Sequence, residues 1–250
     1  MTLRARTFAR SYSFGLSACL VAMVVLAMLG AVAQGAEPAA DKPMKIGIIG
    51  TGHIGGALAK LWTQAGHEVL ISSRHPDQLQ GLAKSLGPKA KVGTPREAAL
   101  FGDVVVVSIP YGAMPQLGKD LSKELAGKIV LDTGNPYPSR DGAMAEDARK
   151  RSTGVTSPEF LPGTRIVRAF NAINAGSLSS EAHRKGDKVA IPLAADDAKA
   201  LEVAQRLVRD AGFDPVVVGG LDRARDFDVG SAVYVKLMTA AELRAALHLR

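Results

Sequence analysis

From Lys45 onward, short apolar runs alternate with segments whose apolar positions recur at helical spacing. Ile46-Gly47-Ile48-Ile49 predicts a strand over 45–49, and Ala57-Leu58-Ala59-Lys60-Leu61-Trp62 lies in a helix predicted over about 54–66. Glu68-Val69-Leu70-Ile71-Ser72 predicts a second strand, followed by a helix from Pro76 to Leu86. Lys91-Val92 gives a short third strand and 95–100 a helical turn. The four consecutive valines 104–107 suit a parallel strand buried on both faces. A helix over 113–125 and a strand at 129–131 follow. The stretch 132–147, with Gly134, Pro136, Pro138 and Gly142, predicts the longest irregular segment. Beyond it the pattern predicts strands at 166–170, 189–193 and 216–218, and a helix at 196–211. A terminal helix is expected over 231–249, with Val233, Leu237, Ala240 and Leu243 on one face. Strands alternating with helices define an α/β protein with a doubly wound, mostly parallel sheet and a short C-terminal helix.

The glycines of Gly50-Thr51-Gly52-His53-Ile54-Gly55 fall between the first strand and the first helix. That context turns a common GxGxxG pattern into a specific one, the dinucleotide-binding turn of a Rossmann-type sheet. Gly50 serves the tight turn, Gly52 lets a pyrophosphate approach the backbone, and Gly55 lets the helix pack on the strand. The first N–H groups of the helix then face the phosphates.

The end of the second strand discriminates between dinucleotides. NAD sites carry Asp or Glu there for the ribose hydroxyls. This chain has Ser72-Ser73-Arg74-His75, with two hydroxyls and a guanidinium suited to a 2′-phosphate and no carboxylate to repel it. NADP(H) is therefore the expected cofactor. Other candidates sit after later strands: Ser108-Ile109-Pro110 beside the ribose and nicotinamide, and Asn171 on the carboxamide or a substrate carbonyl. Turn chemistry alone also accounts for such residues, and Asp132 fits that reading better than a functional one.

Residues 1–36 read as a signal peptide or membrane anchor. A basic start with Arg4, Arg6 and Arg10 precedes an uncharged apolar block from Phe14 to Ala33 and small-residue cleavage sites. Export, with contact to the membrane only through an uncleaved anchor, is the expectation; a translation start at Met44 would make the protein cytoplasmic. Residues 37–43 read as a linker, 44–218 as the NADP-binding domain and 219–250 as a C-terminal helical extension. Those three arginines supply part of the net charge of +7, and no aromatic–basic cluster suggests nucleic acid. Cys19 is the only cysteine, so residues 37–250 can form no disulfide or thiolate site.

The five histidines are scattered without metal-ligand spacing, and no GxSxG nucleophile motif occurs. No catalytic acid or base stands out in the strand-end loops. Hydride transfer between two ring systems needs none, because the rings carry the chemistry and the protein supplies apposition. About 30 residues follow the last strand, too few for a large helical domain over the substrate, so an open substrate face is expected.

With these residues identified, the chain resembles the coenzyme F420 (deazaflavin)-dependent NADP oxidoreductase family, which is related to the NADPH-binding domain of STEAP-type metalloreductases. The resemblance spans about residues 44–240. It rests on Lys45 to Gly52, Ser73-Arg74, Ser108-Ile109-Pro110, Val167-Arg168-Ala169-Phe170-Asn171, Asp210 to Val216 and Leu221 to Arg225. It implies that Thr51, Gly52, His53, Ile54, Ser73 and Arg74 bind NADP, and that a deazaflavin or flavin is the second substrate. An exported N-terminus departs from the family's cytosolic setting. Two alternatives stay open at this point: reduction of another small acceptor such as a quinone or metal chelate, and a non-enzymatic exported NADP-binding module. A homodimer is compatible with either.

Overall fold

A computed structural model describes residues 42–249. The expected signal or anchor over 1–36, and all of the linker before Lys42, lie outside the described residues. Eight strands form one sheet: β1 (Lys45–Ile49), β2 (Glu68–Ser72), β3 (Ala90–Gly93), β4 (Val104–Val107), β5 (Ile129–Asp132), β6 (Arg165–Arg168), β7 (Ala190–Ala194) and β8 (Asp214–Gly219). Their order is β3-β2-β1-β4-β5-β6-β7-β8. The first six run parallel in the order of a Rossmann sheet. β7 pairs antiparallel with β6 through Arg168 and Ala194, and β8 runs parallel to β7. The order reverses between β1 and β4, so the carboxyl ends of these two strands flank the crevice where such sheets bind ligands.

Eleven α-helices are described: α1 (His53–Gln64), α2 (Gln80–Leu86), α3 (Pro95–Phe101), α4 (Met114–Asp120), α5 (Ser122–Leu125), α6 (Pro138–Asp141), α7 (Ala143–Arg151), α8 (Thr153–Phe160), α9 (Ala175–Ser180), α10 (Ala198–Asp210) and α11 (Ala240–Ala246). They cover both faces of the sheet. On one face, Leu58, Leu61 and Trp62 of α1 and Ala204, Leu207 and Val208 of α10 pack on Ile46, Ile48, Val104, Val106 and Val167. Trp62 is wholly buried and donates from Nε1 to the Leu207 carbonyl at 2.9 Å, which ties α1 to α10. On the other face, Ala98 and Ala99 of α3, Met114 of α4 and Ala148 of α7 pack on Ile49, Val105, Val107 and Val130. The four valines of β4 are thus buried on both faces as the sequence predicts. Each fully buried Val or Leu contributes about 1.5–3 kcal/mol.

Several segments differ from the sequence expectation. The stretch 132–147 is not uniformly irregular, because Pro138 begins α6 and α7 opens at Ala143. Its apolar signal is weak: α7 buries only Ala145 and Ala148, and five of its nine residues are charged. The short α8 and α9 were likewise hidden, α8 by an internal Pro158. The expected terminal helix over 231–249 is reduced to α11, which starts at a capping box between Thr239 and Glu242. Ahead of it Val235 has φ +53°, a conformation β-branched residues rarely adopt, and its N–H bonds the Ala172 carbonyl. Val233 and Leu243 are buried, whereas Leu237 is exposed, so the four residues do not share one face. The segment after β8 packs instead on β7 and β8 through Phe227, Val233 and Leu243.

Candidate functional site

The turn from β1 into α1 is built by its glycines in three different ways. Gly50 has φ +95°, and a Cβ there would stand 2.3 Å from the Ser108 carbonyl oxygen. At Gly55 a Cβ would stand 2.2 Å from the Gly50 carbonyl oxygen, so this residue serves close packing and does not face a ligand. A Cβ at Gly52 would meet nothing within 4 Å. Gly52 is the N-cap of α1 and provides no side-chain cap, which leaves the first N–H groups of α1 to water or a ligand. That open space against helix N–H groups is the shape and polarity a pyrophosphate requires.

Two cavities meet at this turn and share Gly52, Ser108, Ile109 and Pro110. The first, of about 810 Å³, runs across the carboxyl ends of β1, β2 and β3. Gly50, Thr51, Ser73, Arg74, Thr94 and Arg96 line it, with Gln116, Leu117 and Asp120 from α4. The second, of about 610 Å³, lies over β4, β5 and the chain beyond β6. It is lined by His53, Ile54, Thr133 to Asn135, Tyr137, Arg140, Ile173 to Ala175, Tyr234 and Val235. The two cavities adjoin along these shared residues.

Of the residues expected from the sequence, Gly50, Thr51, Gly52, Ser73, Arg74, Ser108, Ile109 and Pro110 line the first cavity, and His53 and Ile54 the second. Arg74 is exposed, with no side-chain partner among the described residues. Ser73 accepts the His75 N–H at 3.0 Å and keeps its own hydroxyl proton to donate.

Ser72 and Asn171 correct the expectation. Ser72 is wholly buried and its hydroxyl donates to the Ile48 carbonyl at 2.8 Å, because the alternation along β2 turns it into the sheet. Its carbonyl oxygen accepts from the Thr51 hydroxyl at 3.0 Å and so fixes the glycine turn. Asn171 is also buried. Its Nδ2 reaches the Phe227 carbonyl at 3.4 Å and its own carbonyl accepts from Asn135 Nδ2 at 2.8 Å. Asn135, not Asn171, therefore reaches the second cavity.

Several lining residues escaped the sequence reading. Arg96 is held by Glu124 and by the Asp120 carbonyl at 2.8 Å. Arg140 donates to the Asn135 carbonyl at 2.8 Å, pairs with Asp141 at 2.7 Å and stands 5.2 Å from the Tyr137 ring centre. Tyr234 arrives from the segment after β8, and its hydroxyl meets that of Tyr137 at 2.5 Å. The second cavity is therefore walled on one side by the segment after β8. Nothing in local pattern signals a contact across 97 positions.

Beneath the second cavity lies a buried polar cluster. Arg168 pairs with Asp132, donates to the Gly134 carbonyl at 2.8 Å and lies 3.5 Å from Asp228. Ser157 donates to Asp132 at 2.6 Å, and Tyr111 shares its hydroxyl with Thr156 and Ser157. Burial, and next the negative charge of Asp132, push the Tyr111 phenol up to about 12, so it stays protonated. This cluster holds Gly134 and the loop that carries Asn135. Among the described residues no group of side chains could hold a metal ion.

Parallel sheet, glycine turn and carboxylate-free β2 end together define a Rossmann-type, NADP-dependent oxidoreductase. The model of the NADP oxidoreductase, coenzyme F420-dependent, family matches residues 45–136. An F420-dependent NADP reductase of Methanothermobacter thermautotrophicus is 30% identical over 217 residues, covering 81% of this chain and 93% of that protein. The chain belongs to this family. The metalloreductase STEAP3 of Rattus norvegicus is 29% identical over 184 residues, which cover 74% of this chain; the chain spans about a third of that protein, 36%. A solved structure from Arthrobacter sp. FB24, assigned as an F420-dependent NADP reductase, superposes with a TM-score of 0.63 at 25% identity, covering 73% of this chain and 87% of that one.

Proposed function

We propose that this protein transfers hydride between NADP(H), held in the first cavity, and a deazaflavin- or flavin-like acceptor in the second. The observation that carries this reading is the shared wall of Ser108, Ile109 and Pro110 between the two cavities. A nicotinamide seated against that wall has one face toward the second cavity, and NADP(H) supplies the hydride chemistry when bound.

The residues of the chain would bind, orient and exclude water. The open space at Gly52 and the first N–H groups of α1 accommodate the pyrophosphate. Ser73 and Arg74 select the 2′-phosphate by hydrogen bonding and charge. Ile109 and Pro110 support the nicotinamide through apolar contact. The family membership supports a deazaflavin, and the size of the second cavity accommodates a fused ring system.

The test is turnover by the purified protein with NADPH and a set of acceptors: 8-hydroxy-5-deazariboflavin, flavin mononucleotide, a quinone and a ferric chelate. Fastest reduction of the deazaflavin or flavin is the expected result. Reduction of the quinone or the chelate alone would replace this reading with that of a different small-acceptor reductase.

A further inference from the structure

The second cavity contains a hydrogen-bond donor that the fold does not use. Tyr137, just ahead of α6, and Tyr234, from the segment after β8, both line it, and their hydroxyl oxygens are 2.5 Å apart. Two phenols carry two protons. One is spent in the bond between them, and neither oxygen has another side-chain or backbone partner among the described residues. One phenolic proton is therefore left over in a cavity walled largely by carbon and backbone.

The pair is held in place from both sides. Arg140 stacks against the Tyr137 ring and anchors its loop through the Asn135 carbonyl. Tyr234 is fixed by its neighbour Val235, whose strained backbone at φ +53° is retained by the bond from its N–H to Ala172. Strain of this kind persists where the surroundings fix the geometry and clusters at functional sites. Close by, one of the two amide N–H groups of Asn135 is spent on the Asn171 carbonyl. The cavity thus offers a donor, complementary to a ring edge that carries a carbonyl or lone-pair nitrogen.

Resting on the hydride-transfer reading, we propose that the Tyr137–Tyr234 pair is the acceptor-selecting element of this site. It donates one hydrogen bond to a carbonyl oxygen or ring nitrogen conjugated with the carbon that receives hydride. In the step, the hydride with its electron pair leaves the dihydronicotinamide, which becomes the pyridinium. It bonds to the acceptor carbon, and the acceptor's negative charge moves to the conjugated atom. The phenol steadies that charge by hydrogen bonding, and the proton that finally neutralises it comes from water. Burial, and next the bond to Tyr137, raise the Tyr234 phenol above its usual range, as does Asp228, with Arg168 opposing. Tyr234 thereby keeps its proton for the bond between the two phenols.

The experiment compares wild type, Tyr137→Phe, Tyr234→Phe and the double variant, using the full chain. Two acceptors are used: 8-hydroxy-5-deazariboflavin, which has conjugated carbonyls, and N-methylacridinium, which accepts hydride at carbon but has no hydrogen-bond-accepting atom. Each single variant keeps one phenol but loses its orientation. The double variant should lose roughly tenfold or more in kcat/KM with the deazaflavin, and the single variants less. Turnover of N-methylacridinium and the NADPH Kd should stay within about twofold in all of them, outcomes that a merely structural role for the pair would not give. Equal losses with both acceptors, or no loss in the double variant, overturns the proposal while hydride transfer stands. A wild type that binds NADPH but reduces neither acceptor overturns the hydride-transfer reading, and this proposal with it.

Discussion

The Arg168 guanidinium and the Asp132 carboxylate meet at 2.6 Å with both side chains wholly buried. Removing two charges from water is costly, and the pair is retained where it also holds the Gly134 carbonyl under the second cavity. Breaking the pair strands a buried guanidinium. Asp132→Asn should therefore lower unfolding free energy by about 3–5 kcal/mol, measured by urea denaturation. Replacing both partners with apolar residues, as in Asp132→Leu with Arg168→Met, should cost less than Asp132→Asn alone. A loss below about 1 kcal/mol for Asp132→Asn would show that Asp228 and the surrounding hydroxyls already compensate Arg168.

Gly52 separates ligand binding from folding in the glycine turn. Space is free where its Cβ would lie, whereas Gly50 and Gly55 abut backbone oxygens. Gly52→Val should cost only about 1 kcal/mol of stability as a poorer N-cap. It should nevertheless weaken NADPH roughly a hundredfold, about 2.7 kcal/mol, by filling the pyrophosphate space. Calorimetric titration and thermal melting of the same sample check both halves. Retained NADPH affinity would place the pyrophosphate elsewhere.

His67 links stability to pH. Its Nδ1 accepts the Met44 N–H at 3.0 Å and its Nε2 lies 3.0 Å from Asp210, so the neutral ring fits the fold. Burial lowers its pKa from 6.5 against the opposing pull of Asp210, with Arg206 and Lys89 adding to the lowering. The unfolded chain then binds the proton more readily than the folded one. Stability contributed by His67 is complete above pH 6.5 and is lost as pH falls from there toward the lower folded-state value. Denaturation midpoints between pH 7.5 and 5 should decline in wild type, and His67→Gln should flatten that part of the decline. Parallel curves for the two proteins would show that His67 does not carry this pH dependence.

What the sequence revealed of the fold follows from burial. The valines of β4 and the apolar stripe of α1 report their surroundings through local pattern, and their limits agree with the structure to within a residue or two. Helices α6 to α8 bury little apolar side chain and left no comparable signal. The terminal segment misled for a different reason: Val233, Leu237, Ala240 and Leu243 have helical spacing, yet the bond from Val235 to Ala172 overrides it. Among the site residues, Gly50, Gly52, Ser73 and Arg74 follow from the chemistry of one strand–turn–helix unit. Ser72 and Asn171 were misplaced because the side of a strand or loop on which a polar residue falls is decided by tertiary packing. Tyr137 with Tyr234, and Asn135 with Asn171, are partnerships between distant segments that appear only once the sheet is assembled.

The NADP(H) site is tested most directly by calorimetric titration of the wild type and Arg74→Ala with NADPH and with NADH. Wild type should bind NADPH at least tenfold more tightly than NADH. Arg74→Ala should remove most of that preference, since one charge-assisted contact to the 2′-phosphate accounts for about 1.5–3 kcal/mol. Affinity for NADH should change little. Equal affinities in the wild type, or equal losses of both nucleotides in the variant, would contradict the assignment of the β2 end to the 2′-phosphate and with it the NADP(H) site as described.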